Sequence, residues 1–133
     1  MITLLALLLA TNLLPTGLPG PISGDFDHDG KVDTATIVRE GRDVYVLRVA
    51  RGAAPGAPVR LSLGLNPPDF MVPAKKGGSV ATACGKGVGA KSAPCPRTSV
   101  QVTRGDLLLG ASEASQSVIL WDGQAFRQEW LTD

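Results

Sequence analysis

The chain has 133 residues, of which 44% are hydrophobic and 19% are charged, and its formal net charge is +1. This length supports one folded domain with its own core and leaves little room for a second. The near-neutral charge argues against a nucleic-acid partner, and the 16 Gly and 10 Pro residues indicate many turns, which favours a β protein.

The N-terminal segment is apolar and free of charged side chains as far as residue 24. Its apolar run, Ile2 to Leu14, is too short to span a bilayer but suits the apolar region of a secretory signal peptide, although no Lys or Arg precedes it. We expect residues 1–24 to form a signal peptide and a Pro/Gly linker, and residues 25–133 to form a single domain. The protein is then secreted or periplasmic, with no stable membrane span.

The next segment, Asp25 to Asp33, has the sequence Asp-Phe-Asp-His-Asp-Gly-Lys-Val-Asp. A loop that wraps Ca²⁺ supplies side-chain oxygens from positions 1, 3 and 5, a glycine at position 6, a backbone carbonyl at 7 and a further ligand at 9. Four carboxylates in nine residues repel one another unless a cation lies among them. The predicted Ca²⁺ ligands are the carboxylates of Asp25, Asp27, Asp29 and Asp33 and the backbone carbonyl of Lys31.

Two other interpretations of this segment compete with a strand-flanked Ca²⁺ loop. Asp and Gly also favour ordinary solvated turns. An EF-hand or dockerin would need a flanking helix and an acid at loop position 12, where the chain has Thr36. The β-branched residues from Thr34 to Val38 favour a strand instead, and the missing acid predicts a modest affinity suited to millimolar extracellular calcium.

Short apolar runs separated by turn signals follow the loop, and no segment keeps a helical period for three turns. Alternating apolar residues predict strands at Thr34–Arg39, Val44–Val49 and Val59–Leu65. We expect Asn66 to Pro73 to be a proline-bearing loop and Ser79–Ala83 to be a short strand.

The two cysteines, Cys84 and Cys95, are predicted to form a disulfide because an even pair in an exported chain favours one. With one His in the chain, a zinc site would need carboxylate ligands as well. Gly85 to Ser92 differs by one residue from a phosphate-binding loop, but Ala90 replaces its second glycine and Pro94 disfavours the helix that such a loop must open.

The last third of the chain predicts a four-stranded meander, with a tight hairpin at Asp122-Gly123. Arg104-Gly105-Asp106 is also a tripeptide of integrin ligands, yet its place between two apolar runs favours a turn. The predicted strands are Ser99–Thr103, Leu107–Ala111, Ser117–Trp121 and Ala125–Leu131.

Three of the six aromatic residues, Trp121, Phe126 and Trp130, lie in this last third. Cross-strand aromatic pairs commonly pack in the core and stabilise one register. Alternatively, Trp121 and Trp130 are exposed and stack on a sugar ring. Sequence alone leaves both interpretations open.

The loop and the β-prone residues after it, Gly24 to Val38, resemble the calcium loop of the FG-GAP and VCBS repeat families. The resemblance implies a loop between two strands in an extracellular β protein, with the five ligands named above. Those repeats commonly form propeller blades, but this chain has one copy, from which a closed propeller cannot be built. The rest of the chain is similar to small uncharacterised exported bacterial proteins, and no activity follows from that similarity.

The sequence therefore predicts an all-β protein with one small antiparallel domain, either a meander or sandwich or a structure like a propeller blade. We expect an exported, non-catalytic Ca²⁺-binding module whose partner is a protein or glycan of the cell envelope. The alternative is a calcium-stabilised hydrolase of glycan or cell-wall material. Its acid and base would be a carboxylate pair such as Glu113 with Asp106 or Glu129, because the one His lies in the loop.

Overall fold

The computed structural model describes residues 17–87 and 94–132. These residues form ten strands and a short 3₁₀ helix, Cys84–Lys86, and include no α-helix. Every strand pair is antiparallel, so the predicted all-β fold is confirmed. The strands are β1 (Ile22–Gly24), β2 (Asp33–Arg39), β3 (Tyr45–Arg51), β4 (Ala54–Gly64), β5 (Phe70–Pro73), β6 (Gly78–Ala81), β7 (Ser99–Val102), β8 (Leu107–Ala111), β9 (Ser115–Trp121) and β10 (Phe126–Thr132).

Two four-stranded sheets face each other as a sandwich. The first has the order β1-β2-β3-β4 and the second has the order β10-β9-β8-β5. Alternate residues of each strand point inward, which is the period expected of a strand with one buried face. The core between the sheets consists of Phe26, Ala35, Ile37, Leu47, Val49, Met71, Leu107, Leu109, Ile119 and Phe126.

The remaining two strands, β6 and β7, form a separate two-stranded ribbon. Residues of the ribbon pack with the outer face of the second sheet to form a second core, which consists of Ala74, Val100, Val102, Val118, Leu120 and Leu131. The second sheet is therefore the middle of three layers. This position explains why Leu107–Leu109 and Val118–Leu120 are uninterrupted apolar runs: neighbouring residues face different cores.

The structure corrects the sequence prediction in three places. Strand β1 lies inside the predicted linker and pairs with β2, so the folded domain begins before Asp25. Phe70–Pro73, predicted as loop, is an edge strand paired with β8; an edge strand tolerates Pro73 because its outer side needs no donor. Strand β7 pairs with β6 rather than joining the predicted meander, which is formed by β8, β9 and β10 alone.

Both predicted turns of the last third are present. Asp122 begins the connection from β9 to β10 and its backbone N–H donates to the carbonyl of Ala125. In the β7–β8 turn, Gly105 has a φ of 95° and Asp106 is buried, so the Arg-Gly-Asp tripeptide does not present its carboxylate to solvent. The apolar part of the predicted signal peptide lies outside the described residues. Within 17–87 and 94–132, no helix has the length and apolar character needed to cross a membrane.

Candidate metal centre

The loop between β1 and β2 gathers three of the predicted ligands. Asp25, Asp27 and Asp29 each offer a carboxylate oxygen, and these oxygens lie within 4.8 Å of one another. Asp27 is buried, Asp25 is half-buried and Asp29 is exposed. The cluster therefore lies at the surface with one buried member, and it is composed of the hard oxygen donors that Ca²⁺ prefers.

Backbone N–H groups of the loop orient these carboxylates. The N–H of Asp29 donates to Asp25 Oδ1 at 3.0 Å, and the N–H of Gly30 donates to Asp25 Oδ2 at 2.8 Å. The N–H of Lys31 donates to Asp29 Oδ1 at 2.8 Å. Gly30 has a φ of 88°, the left-handed conformation for which the glycine at position 6 was expected. A carboxylate has about four acceptor sites, so these bonds leave capacity for a cation.

A basic residue that sequence reasoning missed, Arg51, pairs with the buried member of the cluster. Its Nε lies 2.6 Å from Asp27 Oδ2. Burial opposes ionisation of Asp27, but the hydrogen bonds from Arg51 and from the loop outweigh it, so the pKa of Asp27 is below its usual value. The same guanidinium lies 4.5 Å from the centroid of the Trp121 ring. Arg51 thus links the carboxylate cluster to the second sheet.

Asp33, the fourth predicted carboxylate ligand, is not part of this group. It is fully buried, and its Oδ2 accepts hydrogen bonds from the N–H groups of Phe26 at 2.8 Å and Asp27 at 3.2 Å. Its Oδ1 accepts a hydrogen bond from the N–H of Gly52 at 2.8 Å. In this structure Asp33 ties the start of the loop to the β3–β4 connection.

Gly52 is a second residue of the site that the sequence did not indicate. A Cβ at this position would lie 2.5 Å from the carbonyl oxygen of Val32 and 2.8 Å from Lys31 Cβ. Only glycine lets the two backbones approach this closely. The β3–β4 turn therefore packs closely against the segment that contains Lys31, whose carbonyl is the predicted fifth ligand.

His28 connects the loop to the second sheet. Its Nε2 lies 2.5 Å from Oδ1 of the buried Asp106. Asp106 Oδ2 also accepts a hydrogen bond from the N–H of Thr103 at 2.7 Å. His28 has a φ of 59°, the left-handed conformation that His adopts more often than most residues. A single loop thereby contacts both halves of the sandwich.

The predicted disulfide is present between Cys84 and Cys95, whose Cα atoms are 5.6 Å apart. It closes the connection between β6 and β7. The residue before Cys84 is anchored to the second sheet, because the N–H of Ala83 donates to the carbonyl of Trp130 at 2.7 Å. The sequence Gly85 to Ser92, which resembles a phosphate loop, lies partly outside the described residues.

The two tryptophans have different environments. Trp121 is half-buried and packs on Phe126, with 4.7 Å between the ring centroids. Trp130 is 45% exposed and lines a shallow pocket of about 160 Å³ at the open edge of the sandwich, beside Leu63 and Leu65. Trp121 therefore has the packing role, and the exposed aromatic surface belongs to Trp130.

Of the carboxylates considered for acid and base chemistry, Glu113 and Asp106 are far apart and Glu129 is engaged by two arginines. Asp106 precedes β8 and Glu113 follows it, so the length of the strand, roughly 15–20 Å, separates them. Glu129 accepts hydrogen bonds from Arg97 and Arg127. Among the described residues, the cluster at Asp25, Asp27 and Asp29 is the one group of three or more His, Cys, Asp or Glu side chains with metal-binding spacing.

Comparisons with protein-family models, curated proteins and solved structures give no match to the chain. The resemblance to FG-GAP and VCBS loops therefore remains a prediction that rests on the residues of the loop.

Proposed function

We propose that the protein is an exported Ca²⁺-binding β domain that acts as a non-catalytic binding or cell-envelope module. One observation carries the calcium proposal: three carboxylates from a nine-residue loop converge within 4.8 Å. The donor set fits the ion, because Ca²⁺ takes oxygen ligands in flexible geometry and the backbone already orients the carboxylates.

The charges around the cluster support a cation site over a plain turn. Arg51 is the one basic side chain in an ion pair with the cluster among the described residues, and it reaches Asp27 alone. Asp25 and Asp29 receive backbone N–H bonds that orient them without neutralising their charge. A divalent cation would relieve the remaining repulsion.

The position of the loop supports a structural role. Asp33 joins the loop to Gly52 in the first sheet, and His28 joins it to Asp106 beside the second sheet. A ligand that stiffens the loop therefore braces both sheets. Ca²⁺ would stabilise the folded domain in this way, without any part in a reaction.

Export to an oxidising compartment is supported by the disulfide and by the uncharged apolar N-terminal sequence. For the binding role, Trp130 is the candidate contact with a protein or glycan of the envelope. Its exposed ring and the 70% exposed Leu65 line the same pocket, so apolar surface is open to a partner there.

Thermal unfolding with Ca²⁺, with Mg²⁺ and with EDTA tests the calcium site. At a hundredfold excess over Kd, Ca²⁺ should stabilise the domain by about 2.7 kcal/mol and raise Tm by roughly 10 °C. Asp25→Asn/Asp29→Asn should abolish the rise, whereas Asp43→Asn, which removes a charge from the β2–β3 connection, should preserve it. An unchanged Tm on adding Ca²⁺ overturns the proposal.

Trp121 offers an optical measurement of the same event. The chain has two tryptophans, so Trp130→Phe leaves Trp121 as the sole tryptophan. Because Arg51 contacts both Asp27 and the Trp121 ring, Ca²⁺ binding at the cluster should change the emission of Trp121 in parallel with Tm. Arg51→Gln should remove the change in emission but not the response of Tm.

Pull-down with purified peptidoglycan and envelope glycans tests the binding role. Trp130→Ala should lose the interaction, and Trp121→Phe, which keeps an aromatic ring in the packed position, should retain it. Equal retention by both variants would assign the contact to another surface.

A further inference from the structure

The ribbon formed by β6 and β7 covers only part of the outer face of the second sheet. Beside it lies an open cleft of about 400 Å³, within the range of small-molecule sites. The cleft is lined by buried or half-buried side chains of the second core, Val102, Leu108 and Leu131. Val72 of the edge strand β5 also lines it and is 45% exposed. Val72 and Leu108 therefore present apolar surface to solvent here, and the buried Val102 and Leu131 form the floor of the cleft.

The rim of this cleft is cationic. Lys75 and Lys76 line it, both are exposed, and neither forms an ion pair with another described residue. None of the described residues that line the cleft is acidic. The sequence has the same bias, since the chain between Asp69 and Asp106 contains six Lys and Arg residues and no acid.

A third cation lies close to the same apolar surface. Lys86 extends from the 3₁₀ helix, and its Nζ donates to the backbone carbonyl of Leu131 at 2.8 Å. By contrast, Arg97, another basic residue of this region, is paired with Glu129. Positive charge thus remains available around the cleft.

We propose that this cleft binds a single-chain amphiphile with an anionic head group, such as a fatty-acid carboxylate. The alkyl chain lies against Leu108, Val102 and Leu131, and the head group accepts hydrogen bonds from Lys75 and Lys76. Charge complementarity selects an anion. An alkyl chain fits better than a peptide because Gln116 is the one polar lining side chain besides the two lysines, so a peptide backbone would find few partners.

Calorimetric titration with straight-chain carboxylates below their micelle concentrations tests the cleft directly. Each added methylene should strengthen binding about fourfold until the cleft is filled, after which the affinity should level off. A trimethylammonium amphiphile of equal chain length should bind more weakly. Excess EDTA throughout separates this result from the calcium proposal, because it keeps Ca²⁺ from the loop at residues 25–33.

Charge reversal at the rim provides the matched variants. Lys75→Glu/Lys76→Glu should weaken carboxylate binding about tenfold or more, since each lysine contributes a charge-assisted hydrogen bond. Arg42→Glu/Arg48→Glu changes the net charge equally at two exposed positions, one in the β2–β3 connection and one on β3, and should leave the affinity unchanged. If the rim variant does not fold, the chain-length and head-group series on the unmodified protein decides.

Three outcomes overturn the proposal. These are no saturable binding of any carboxylate, equal affinity for the carboxylate and the ammonium amphiphile, and equal loss in both charge-reversal variants. Sedimentation supplies a fourth: a dimer that Val72→Glu dissociates would show that a second copy of the chain occupies the cleft.

Discussion

The loop at residues 25–33 and the cysteine-closed connection of the ribbon solve the same problem by different chemistry. Each stabilises a connection between two strands that has few large apolar side chains. The loop uses carboxylates that accept backbone N–H bonds, with Asp33 at its centre. The connection uses the covalent bond between Cys84 and Cys95. The proposed cation would act on the loop alone, and a reductant would act on the connection alone.

Removing Asp33 should have the largest effect on the loop. Asp33→Ala leaves three backbone N–H groups without their acceptor and should lower the free energy of unfolding by about 3 kcal/mol or more. Asp33→Asn keeps one carbonyl acceptor, so its free energy of unfolding should lie between those of the unmodified protein and Asp33→Ala. Urea unfolding in EDTA measures both. A loss in Asp33→Ala no larger than that in Asp43→Asn would show that Asp33 does not anchor the loop.

Breaking the disulfide should cost slightly less. It closes a loop of 11 residues, and the chain-entropy estimate for its removal is about 2.8 kcal/mol. Cys84→Ser/Cys95→Ser should show this loss and become insensitive to dithiothreitol, which should destabilise only the unmodified protein. Hydrogen exchange should rise in β6 and β7 and stay unchanged in residues 25–33. Faster exchange in both regions would mean that the disulfide and the hydrogen bonds of the loop do not stabilise the protein independently.

The turn after β9 has a carboxylate that caps backbone N–H groups but belongs to no acidic cluster. Removing this carboxylate, Asp122, should have the smallest effect on the free energy of unfolding. Asp122 Oδ1 accepts the N–H groups of Ala125 and Gln124, which hold the pKa of Asp122 below its usual value. A lowered folded pKa stabilises the protein above the ordinary carboxyl pKa of about 4, and this contribution is lost as pH falls through the folded value. Asp122→Ala should therefore be less stable than the unmodified protein at pH 7, and the gap should narrow below about pH 4.

The same variant compares an isolated capping carboxylate with the cluster. Asp122→Ala should keep its full Tm response to Ca²⁺, because this turn has one carboxylate rather than three. Urea titrations at several pH values, with and without Ca²⁺, measure both properties. A gap that widens at low pH would contradict the assigned direction.

Sequence patterns predicted the strands whose alternation is set by a single buried face. In β2, Ala35 and Ile37 alternate with more exposed threonines, and the predicted and observed bounds agree within one residue. The disulfide followed from counting cysteines. The alternation is a local property of the strand. The disulfide needs one partner, and the chain has one other cysteine.

The missed elements depend on neighbours that are distant in sequence. Strand β1 has three residues and is a strand because β2 offers its edge. Strand β5 was predicted as a loop because it contains Pro73. The proline is tolerated because this strand is at the edge of its sheet. Strands β6 and β7 pair across the cysteine connection, and no local signal distinguishes this ribbon from a continued meander.

The candidate site shows the same division. The spacing of Asp25, Asp27 and Asp29 was sufficient to predict that they cluster. Arg51 and Asp106 reach the loop from other parts of the chain, so no spacing rule could have indicated them. Asp33 has the spacing of a ligand, but in this structure it lies outside the cluster and accepts the N–H groups of Gly52, Phe26 and Asp27.

The three-layer arrangement has a consequence for handling the protein. Because the second sheet is apolar on both faces, two proteolytic cuts, one before β6 and one after β7, would remove the ribbon and leave a fragment in which Val118, Leu120 and Leu131 are exposed. Such a fragment would retain most of its strands yet associate through a continuous apolar face. The ribbon therefore shields this apolar face from water. We expect its loss to cause aggregation at temperatures below those at which the sandwich unfolds.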